Sequence, residues 1–431
     1  MKKTLLTLCA FTAIVLSACK KDHKENTTPI TYPDMAEAAD PALLMTTPDG
    51  VKVYNGGFGS AVAADHNDPS VFYMLTDRGP NAAGSVDNSI IFGKADFTPE
   101  IGKFRLKDGK LVLEQKIEFK NAAGVPLTGL PNPTDQGGTG EIAYDLNGKV
   151  IAPNADGIDS EGMVLAPDGS FWISDEYGPH IVHFDATGRT IERINPFGTG
   201  TGGRKIPLVF AKRKPNRGME GLAITPDGKT LVGMMQSPMF TPTKAAVKNS
   251  AVLRILTFDI ATGATKQYAY VMEDKSLTGV SDIVAVNATT FLTIERDGNY
   301  GGDPVTPATF KKVFKISFDG ATDISDPANA AIGKLYGGKT PEELNDKAGL
   351  LAAGITPVSK ILVLDLLKDL PTVYPHDKAE GLALLPGNIL VISNDDDFGV
   401  VDNGKGGFMA KILPATKTVD HNTLYFVKIN L

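Results

Sequence analysis

The most informative hairpin of the chain is Asp159-Ser-Glu161-Gly-Met-Val-Leu-Ala-Pro167-Asp168-Gly169-Ser-Phe-Trp-Ile-Ser-Asp175-Glu176-Tyr-Gly178. It consists of an acid followed by glycine, a short apolar run, a Pro-Asp-Gly turn and a second apolar run. Two apolar runs that flank a tight turn predict a β-hairpin, because Asp and Gly favour the backbone conformations that such turns require. The acid begins the first strand, and an Asp-Glu pair ends the second.

The same pattern recurs along the chain. A second copy starts at Glu220 and a third at Glu380, while weaker copies start near Ser60 and Asp282. Each copy is followed by a further hairpin signal, such as the one in residues 180–188. Four strands per repeat, joined by tight turns, are typical of a β-propeller blade. We therefore predict an all-β protein, a β-propeller of six or seven four-stranded blades with a small helical insertion.

The helical insertion is predicted from a start signal and a stop signal. Thr340-Pro-Glu-Glu343 has the pattern of a capping box with proline at the first helical position, and Gly354 is a plausible stop. Ring closure is predicted from position in the chain: residues 46–53 would pair with residues 424–429 of the last blade.

The N-terminus has the pattern of an export signal. Two lysines precede an apolar run, and Leu16-Ser-Ala-Cys19 resembles a lipobox, in which the cysteine receives lipid. We predict a lipoprotein signal peptide in residues 1–18, a flexible polar tether in residues 19–40 and the propeller domain in residues 41–431. The predicted location is the cell envelope outside the inner membrane, in the outer membrane or the periplasm, with the lipid anchor as the only membrane contact.

Cysteine usage and charge exclude some classes of site. The two cysteines are Cys9, which would leave with the signal, and Cys19, which would carry lipid. No cysteine then remains for a disulfide or a thiolate metal site. The net charge of −7 argues against nucleic acid as a partner and is compatible with cation binding.

The hairpin pattern predicts where the acids gather. Antiparallel pairing places the start of a first strand and the end of a second strand at the same edge of a sheet. In a propeller whose first strands line the channel, the strand-start acids would ring one mouth; they are Glu161, Glu220, Asp282 and Glu380. The strand-end residues would form a ring beside them; they are Asp175, Glu176, Glu295, Arg296, Asp297, Asp395 and Asp396.

These motifs resemble those of the phytase-like family, which is described as having esterase-like activity. The resemblance rests on residues 159–179, 76–80 (Thr-Asp-Arg-Gly-Pro), 216–221 (Asn-Arg-Gly-Met-Glu-Gly), 295–297 (Glu-Arg-Asp), and the Glu-Gly-Leu-Ala at 380 with Ser-Asn-Asp at 393–395. It implies an exported propeller whose acidic residues support phosphoester hydrolysis. The second repeat departs from the acidic pattern, because Met234-Met235-Gln236 stands where the first has Asp175-Glu176.

Oxygen ligands without cysteine favour a hard cation, and calcium is the predicted cofactor. The predicted substrate is a small anion, a phosphoester. The predicted catalytic residues are Glu161, Asp175, Glu176, Glu220, Glu295 and Glu380. The residues predicted to bind the substrate are Arg78, Arg217 and Arg296. The predicted metal ligands are Asp77, Asp175, Asp297 and Asp395.

The sequence is also compatible with other roles for these acids and with other functions. A strand-start acid can cap a neighbouring turn, and the glycine after it can serve close packing near the axis, so repetition alone has a structural explanation. The protein could be a non-catalytic propeller that binds a ligand or partner, or a calcium-dependent lactonase or esterase. A serine hydrolase is disfavoured, because the sequence contains no Gly-x-Ser-x-Gly motif.

Overall fold

Short strands joined by tight turns make up most of the chain in this computed structural model, which describes residues 30–431. The predicted signal peptide and the predicted lipidation site Cys19 lie outside the described residues. The strands are β1 (Met35–Ala38), β2 (Leu43–Thr46), β3 (Lys52–Tyr54), β4 (Ala61–Ala64), β5 (Val71–Leu75), β6 (Asn81–Ala83), β7 (Ser89–Phe92), β8 (Glu100–Lys107), β9 (Lys110–Glu118), β10 (Ile142–Tyr144), β11 (Val150–Ile151), β12 (Ser160–Leu165), β13 (Phe171–Asp175), β14 (His180–Phe184), β15 (Thr190–Ile194), β16 (Met219–Ile224), β17 (Thr230–Met235), β18 (Val252–Asp259), β19 (Thr265–Val271), β20 (Gly279–Ala285), β21 (Thr290–Arg296), β22 (Lys311–Ser317), β23 (Ser359–Asp365), β24 (Leu382–Leu385), β25 (Ile389–Ser393), β26 (Val400–Asp402), β27 (Phe408–Ala410) and β28 (Thr423–Lys428).

Five four-stranded blades form the ring within the described residues. Three of them follow chain order, β12 to β15, β16 to β19 and β20 to β23. The other two are β4-β5-β8-β9 and β24-β25-β28-β1. The innermost strands β4, β12, β16, β20 and β24 contact one another in that order, and β24 returns to β4. The predicted β-propeller of four-stranded blades is confirmed, but the predicted count of six or seven blades is wrong.

Ring closure uses a strand from the N-terminal side of the domain. β1 pairs antiparallel with β28, where Met35 faces Tyr425, and parallel with β9, where Glu37 faces Lys110. The predicted partner in residues 424–429 is therefore correct, but the predicted closing segment is wrong, because residues 46–53 belong to the separate hairpin β2–β3. β1 also lies inside the predicted tether of residues 19–40, so the folded domain begins before residue 41.

The glycine that follows Glu161, Glu220 or Glu380 lies against the next blade. A Cβ atom on Gly162 would lie 2.5 Å from the backbone nitrogen of Leu222, and one on Gly381 would lie 2.7 Å from that of Val62. Only glycine permits this approach between innermost strands. The repeated glycine therefore has the structural explanation that the sequence left open.

Small accessory sheets lie beside the blades. They are the four-stranded sheet β6-β7-β10-β11 and the hairpins β2–β3 and β26–β27. Strand β6 and the two hairpins contribute to one apolar cluster, which contains Val53, Ala82, Phe97, Phe398 and Phe408. This cluster fixes the segments that follow β5 and β25, and both segments contribute charged residues to the acidic cavity described below.

The predicted insertion contains the capping box but not one continuous helix. The amide of Thr340 donates to Glu343 Oε2 at 2.8 Å. A 3-10 turn at Glu342–Leu344 then ends at Asn345, which has a φ of 67°, and helix α1 (Lys347–Ala352) follows. Helix α2 (Leu366–Asp369) comes after β23. Among the described residues, no helix has the length and apolar character needed to cross a bilayer.

The remaining 3-10 turns are Thr134–Gln136, Leu208–Lys212, Pro327–Asn329 and Asp397–Gly399.

The closing strand gives a stability prediction. Ala36 is 1% exposed and belongs to the core cluster between the first and last blades, whereas its neighbour Met35 is 46% exposed. Ala36→Asp should lower the free energy of unfolding by about 3 kcal/mol or more, because it buries a charge without a partner. Met35→Asp is the matched control. Urea unfolding that gives equal values for both variants would contradict the role assigned to β1.

Candidate functional site

A polar cavity of about 430 Å³ opens at the mouth where the innermost strands begin. Eight carboxylates and four cationic side chains line it. The carboxylates are Asp77, Asp159, Glu161, Glu176, Glu220, Glu380, Asp395 and Asp397. The cations are Arg78, Arg217, Arg296 and Lys378. The excess of carboxylates makes this cavity suited to a cation.

Three of the acids converge closely enough to share an ion. Asp159, Glu161 and Glu176 each offer a carboxylate oxygen, and these oxygens lie within 4.8 Å of one another. The hairpin β12–β13 brings them together, because Ser160 pairs with Asp175 in its register. Strand-start and strand-end acids therefore meet at one edge, as the sequence predicts for this hairpin. We call these three residues the carboxylate triad.

Burial and mutual repulsion alter the acidity of the cavity. Burial, followed by the charge of Glu220, raises the pKa of Glu161 and that of Glu176 well above the usual value for glutamate. Burial and the neighbouring Glu380 raise the pKa of Glu220 to about 7. Glu176 Oε1 and Glu220 Oε2 are buried and have no hydrogen-bond partner. Such groups need either a proton or a cation nearby.

Most cations of the cavity are already paired with carboxylates. Arg78 Nη1 lies 3.4 Å from Asp159 Oδ2, and Arg296 forms an ion pair with Glu380. Lys378 Nζ lies 2.6 Å from Asp395 Oδ2 and 2.6 Å from Asp397 Oδ1. These pairs fix the walls of the cavity. Among the described residues, the lining acids without an ion pair are Asp77, Glu161, Glu176 and Glu220.

Arg217 differs from the other three cations. Its Nη1 donates to the backbone oxygen of Thr278, and within the described residues it forms no ion pair with a carboxylate. The guanidinium therefore retains donors that can reach an anion in the cavity. Its neighbour Arg213 has a supporting role, because Nε donates at 2.6 Å to the backbone oxygen of Glu176.

Asp175, predicted as both catalytic residue and metal ligand, lies outside the cavity lining. Its side chain is fully buried and accepts hydrogen bonds from the backbone amides of Asp159 at 2.6 Å and Gly178 at 3.0 Å. His180 Nδ1 lies 3.5 Å away. Successive residues along a strand point to opposite sides. Asp175 and the adjacent Glu176 therefore face different directions, and only Glu176 lines the cavity. Asp175 holds the backbone that carries Asp159.

Glu295 and Asp297 also lie away from the cavity lining. Glu295 pairs with Lys360 and accepts the amide of Glu273 at 3.0 Å. Asp297 accepts the amide of Phe310 at 2.9 Å and lies 3.2 Å from Lys311 Nζ. The predicted catalytic role of Glu295 and the predicted metal role of Asp297 therefore have no support in the geometry. Arg296, between them on the chain, does line the cavity.

Asp282 and Asp396, two acids of the predicted rings, bind backbone amides and do not line the cavity. Asp282 Oδ2 accepts the amide of Leu382 at 2.7 Å and joins two adjacent blades. Asp396 Oδ1 accepts the amide of Gly57 at 2.6 Å. The other predicted site residues line the cavity; they are Asp77, Arg78, Glu161, Glu176, Arg217, Glu220, Arg296, Glu380 and Asp395.

Comparison with known proteins agrees with the family resemblance of the sequence motifs. The phytase-like family, described as having esterase-like activity of phytase, matches residues 54–398. The chain belongs to the phytase-like family. Every residue of the carboxylate triad lies inside the matched part of this phytase-like chain, as do the four cations of the cavity.

Individual relatives of this phytase-like protein are distant. An uncharacterized secreted protein of Arthroderma benhamiae is 26% identical over 438 residues, which cover 82% of this chain and 81% of that protein. A putative oxidoreductase (glucose dehydrogenase) of Thermus thermophilus is 9% identical, with a TM-score of 0.34 and coverage of 91% and 99%. Virginiamycin B lyase of Staphylococcus aureus is 13% identical, with a TM-score of 0.30 and coverage of 84% and 99%. Neither structure bears on the activity of this phytase-like chain.

Sequence reasoning did not assign some of the lining residues of this phytase-like site. Asp159 and Lys378 each precede a strand-start acid by two positions, so strand alternation could have indicated both. Gln236 lies at the position where the second repeat departs from the acidic pattern, and its amide donates to Glu220. Asp397 follows β25, and only the fold shows that it turns back to Lys378.

The raised pKa of Glu220 gives a pH prediction for the metal-free protein. The unfolded glutamate titrates near pH 4.3, so between about pH 4.3 and about pH 7 the folded chain holds a proton that the unfolded chain has lost. The free energy of unfolding should therefore fall as pH rises through this window. Glu220→Gln should make the fall smaller, as measured by melting temperature in chelator.

The control for this prediction is Asp319→Asn, which neutralises an exposed acid. It should leave the pH slope of the wild type unchanged. A Glu220→Gln variant with the wild-type slope would show that Glu220 ionises normally in the folded protein.

Proposed function

We propose that this protein is a calcium-assisted hydrolase of phosphoric esters that works in the cell envelope. The carboxylate triad carries this proposal, because two buried carboxylates and the half-buried one of Glu161, all within 4.8 Å of one another, need a cation or protons. Membership of the phytase-like family supports ester hydrolysis as the reaction class.

The donor set of the triad fits calcium. The triad offers only carboxylate oxygens, the ligand type that calcium prefers. Glu176 Oε1 accepts no hydrogen bond from the protein, so it is available to a cation. Three protein residues would leave further coordination positions for water and for the substrate. A bound calcium ion would supply Lewis acidity toward a phosphoryl oxygen and lower the pKa of a bound water.

Glu220 has the acidity expected of a proton-transfer group. A pKa of about 7 makes both the acid and the carboxylate available near neutral pH. Gln236 binds Glu220 Oε1 and leaves Oε2 unpartnered at the cavity. Glu220 can therefore accept a proton from an attacking water or donate one to a departing alcohol.

Arg217 is proposed to bind the anion of the substrate. It lines the same cavity as the carboxylate triad, and within the described residues it is the cation there without a carboxylate partner. A guanidinium can make two parallel hydrogen bonds to a phosphate. Arg78 and Arg296 lie in the same lining and would add positive potential, while their ion pairs hold Asp159 and Glu380 in place.

Export and lipid attachment at Cys19 are also part of the proposal. The sequence pattern of residues 1–19 supports both, and the relative described as a secreted protein supports export alone. Attachment by a lipid would keep the hydrolase in the envelope and leave the propeller in aqueous solution.

The first test measures phosphate or alcohol release from phosphomonoesters, phosphodiesters, carboxyl esters and lactones, with calcium and then with chelator. We expect chelator-sensitive turnover of one phosphoester class. Glu161→Gln should reduce this turnover on the order of 100-fold, because it removes a charged oxygen from the triad. The matched control is Glu118→Gln, which neutralises an exposed acid of β9 and should retain activity.

Each other outcome points to a different function. Calcium-dependent turnover confined to lactones or carboxyl esters would replace the phosphoester proposal with a lactonase or esterase. Saturable calcium binding with no product from any substrate would favour a non-catalytic binding propeller. Full activity of Glu161→Gln would remove the carboxylate triad from the mechanism.

Arg217 gives a separate kinetic prediction. Arg217→Gln should raise KM about tenfold and change kcat less, because a charge-assisted hydrogen bond contributes about 1.5–3 kcal/mol. Lys212→Gln removes an exposed charge from the same segment and is the control. Steady-state kinetics with equal KM for Arg217→Gln and the wild type would contradict the anion-binding role.

A further inference from the structure

The opposite mouth of the propeller has a second cavity of different chemistry. Its volume is about 550 Å³, and the far ends of all five innermost strands line it. The lining side chains at these ends include Val62, Leu165, Ile224, Ala285 and Leu384. We call this cavity the apolar mouth. Because the innermost strands run from the acidic cavity to the apolar mouth, the two cavities lie at opposite ends of one axis.

The rim of the apolar mouth consists of tight turns with neutral or locally satisfied side chains. Pro167, Pro226 and Pro386 are exposed there. Asp65, the acid among the lining residues, accepts hydrogen bonds from the backbone amides of Asn67 and Asp68. The rim contains no lysine or arginine among its lining residues, whereas four cations line the acidic cavity.

The chain reaches the folded domain at this rim. Tyr32 donates its hydroxyl to the backbone oxygen of Pro69 at 2.9 Å, and Pro69 lines the apolar mouth. The Tyr32 ring stacks on Phe426 with centroids 5.0 Å apart. β1 then runs from this side toward the acidic cavity, since it is antiparallel to β28 and β28 is antiparallel to β25. Residues that precede β1 therefore join the domain at the apolar mouth.

The length of the preceding chain limits how the domain can lie on a membrane. Twelve residues, 20–31, lie between Cys19, the proposed site of lipid attachment, and Tyr32. Fully extended, they would span at most about 45 Å, and as a random coil their average span would be roughly 20 Å. A compact domain of about 400 residues has a radius of gyration of roughly 21 Å. Only a nearly extended segment could pass the full height of the domain.

We propose that the apolar mouth faces the lipid surface that holds the Cys19 anchor, so that the acidic cavity opens away from the membrane. This orientation rests on the lipid attachment in the proposed function, but it does not depend on the reaction. Its partner is the bilayer surface of zwitterionic lipid, because the apolar rim offers no cations to anionic headgroups. Substrate would then reach the carboxylate triad from the aqueous side.

The test places a fluorescent label at either mouth of the full lipidated chain in phosphatidylcholine vesicles. Cys9 would leave with the signal and Cys19 would carry lipid, so an introduced cysteine would be the free thiol. Pro226→Cys and Pro386→Cys place labels at the apolar rim. Asn299→Cys places one at the exposed segment that follows β21, on the side of the acidic cavity. The vesicles contain a lipid with a collisional quencher near its headgroup.

We expect a loss of fluorescence at both apolar-rim labels and none at Asn299→Cys beyond that of the label in solution. Equal quenching at the two mouths, stronger quenching at Asn299→Cys, or no quenching in vesicle-bound protein would overturn the orientation. Flotation of the unlabelled chain tests the anchor separately. Wild-type chain that fails to float would overturn both the anchor and the orientation, while turnover of phosphoesters would remain an independent result.

Discussion

The close approach of neighbouring innermost strands is the constraint on which this structure depends. Gly162 and Gly381 leave no room for a Cβ atom against the next blade, so the strand-start acids beside them are drawn toward one axis. Five blades rather than six or seven make this convergence tighter. The same packing that closes the ring thus places carboxylates where they repel one another and are poorly hydrated.

These carboxylates have two different roles in the structure. Some accept hydrogen bonds from an adjacent blade and hold the two blades together, as Asp282 does from the amide of Leu382 and Glu295 does from the hydroxyl of Tyr270. Others remain under-compensated at the cavity, and among these Glu176 and Glu220 have buried oxygens without partners. Burial raises the pKa of both glutamates, so the folded chain favours their protonated forms in the absence of a bound cation. Arg217 adds a donor for an anion beside them.

The sequence predicted the repeat, the hairpins and the mouth at which acids gather, because turn residues and alternating apolar runs are local signals. It could not assign each acid to a task. Asp175 and Glu176 are adjacent, yet strand alternation turns one to backbone amides and the other to the cavity. The pairing of Lys378 with Asp395 and Asp397 depends on the turn that follows β25. Blade number and the closing strand depend on contacts between distant segments, for which the sequence offers only position.

The most direct measurement is a crystal structure of the protein grown with calcium, with anomalous scattering used to locate the ion. The account predicts one calcium peak between Asp159, Glu161 and Glu176, with carboxylate oxygens at about 2.3–2.6 Å from it. An ordered triad without a peak, or a peak elsewhere in the cavity, would contradict the central claim that these three carboxylates form the metal site.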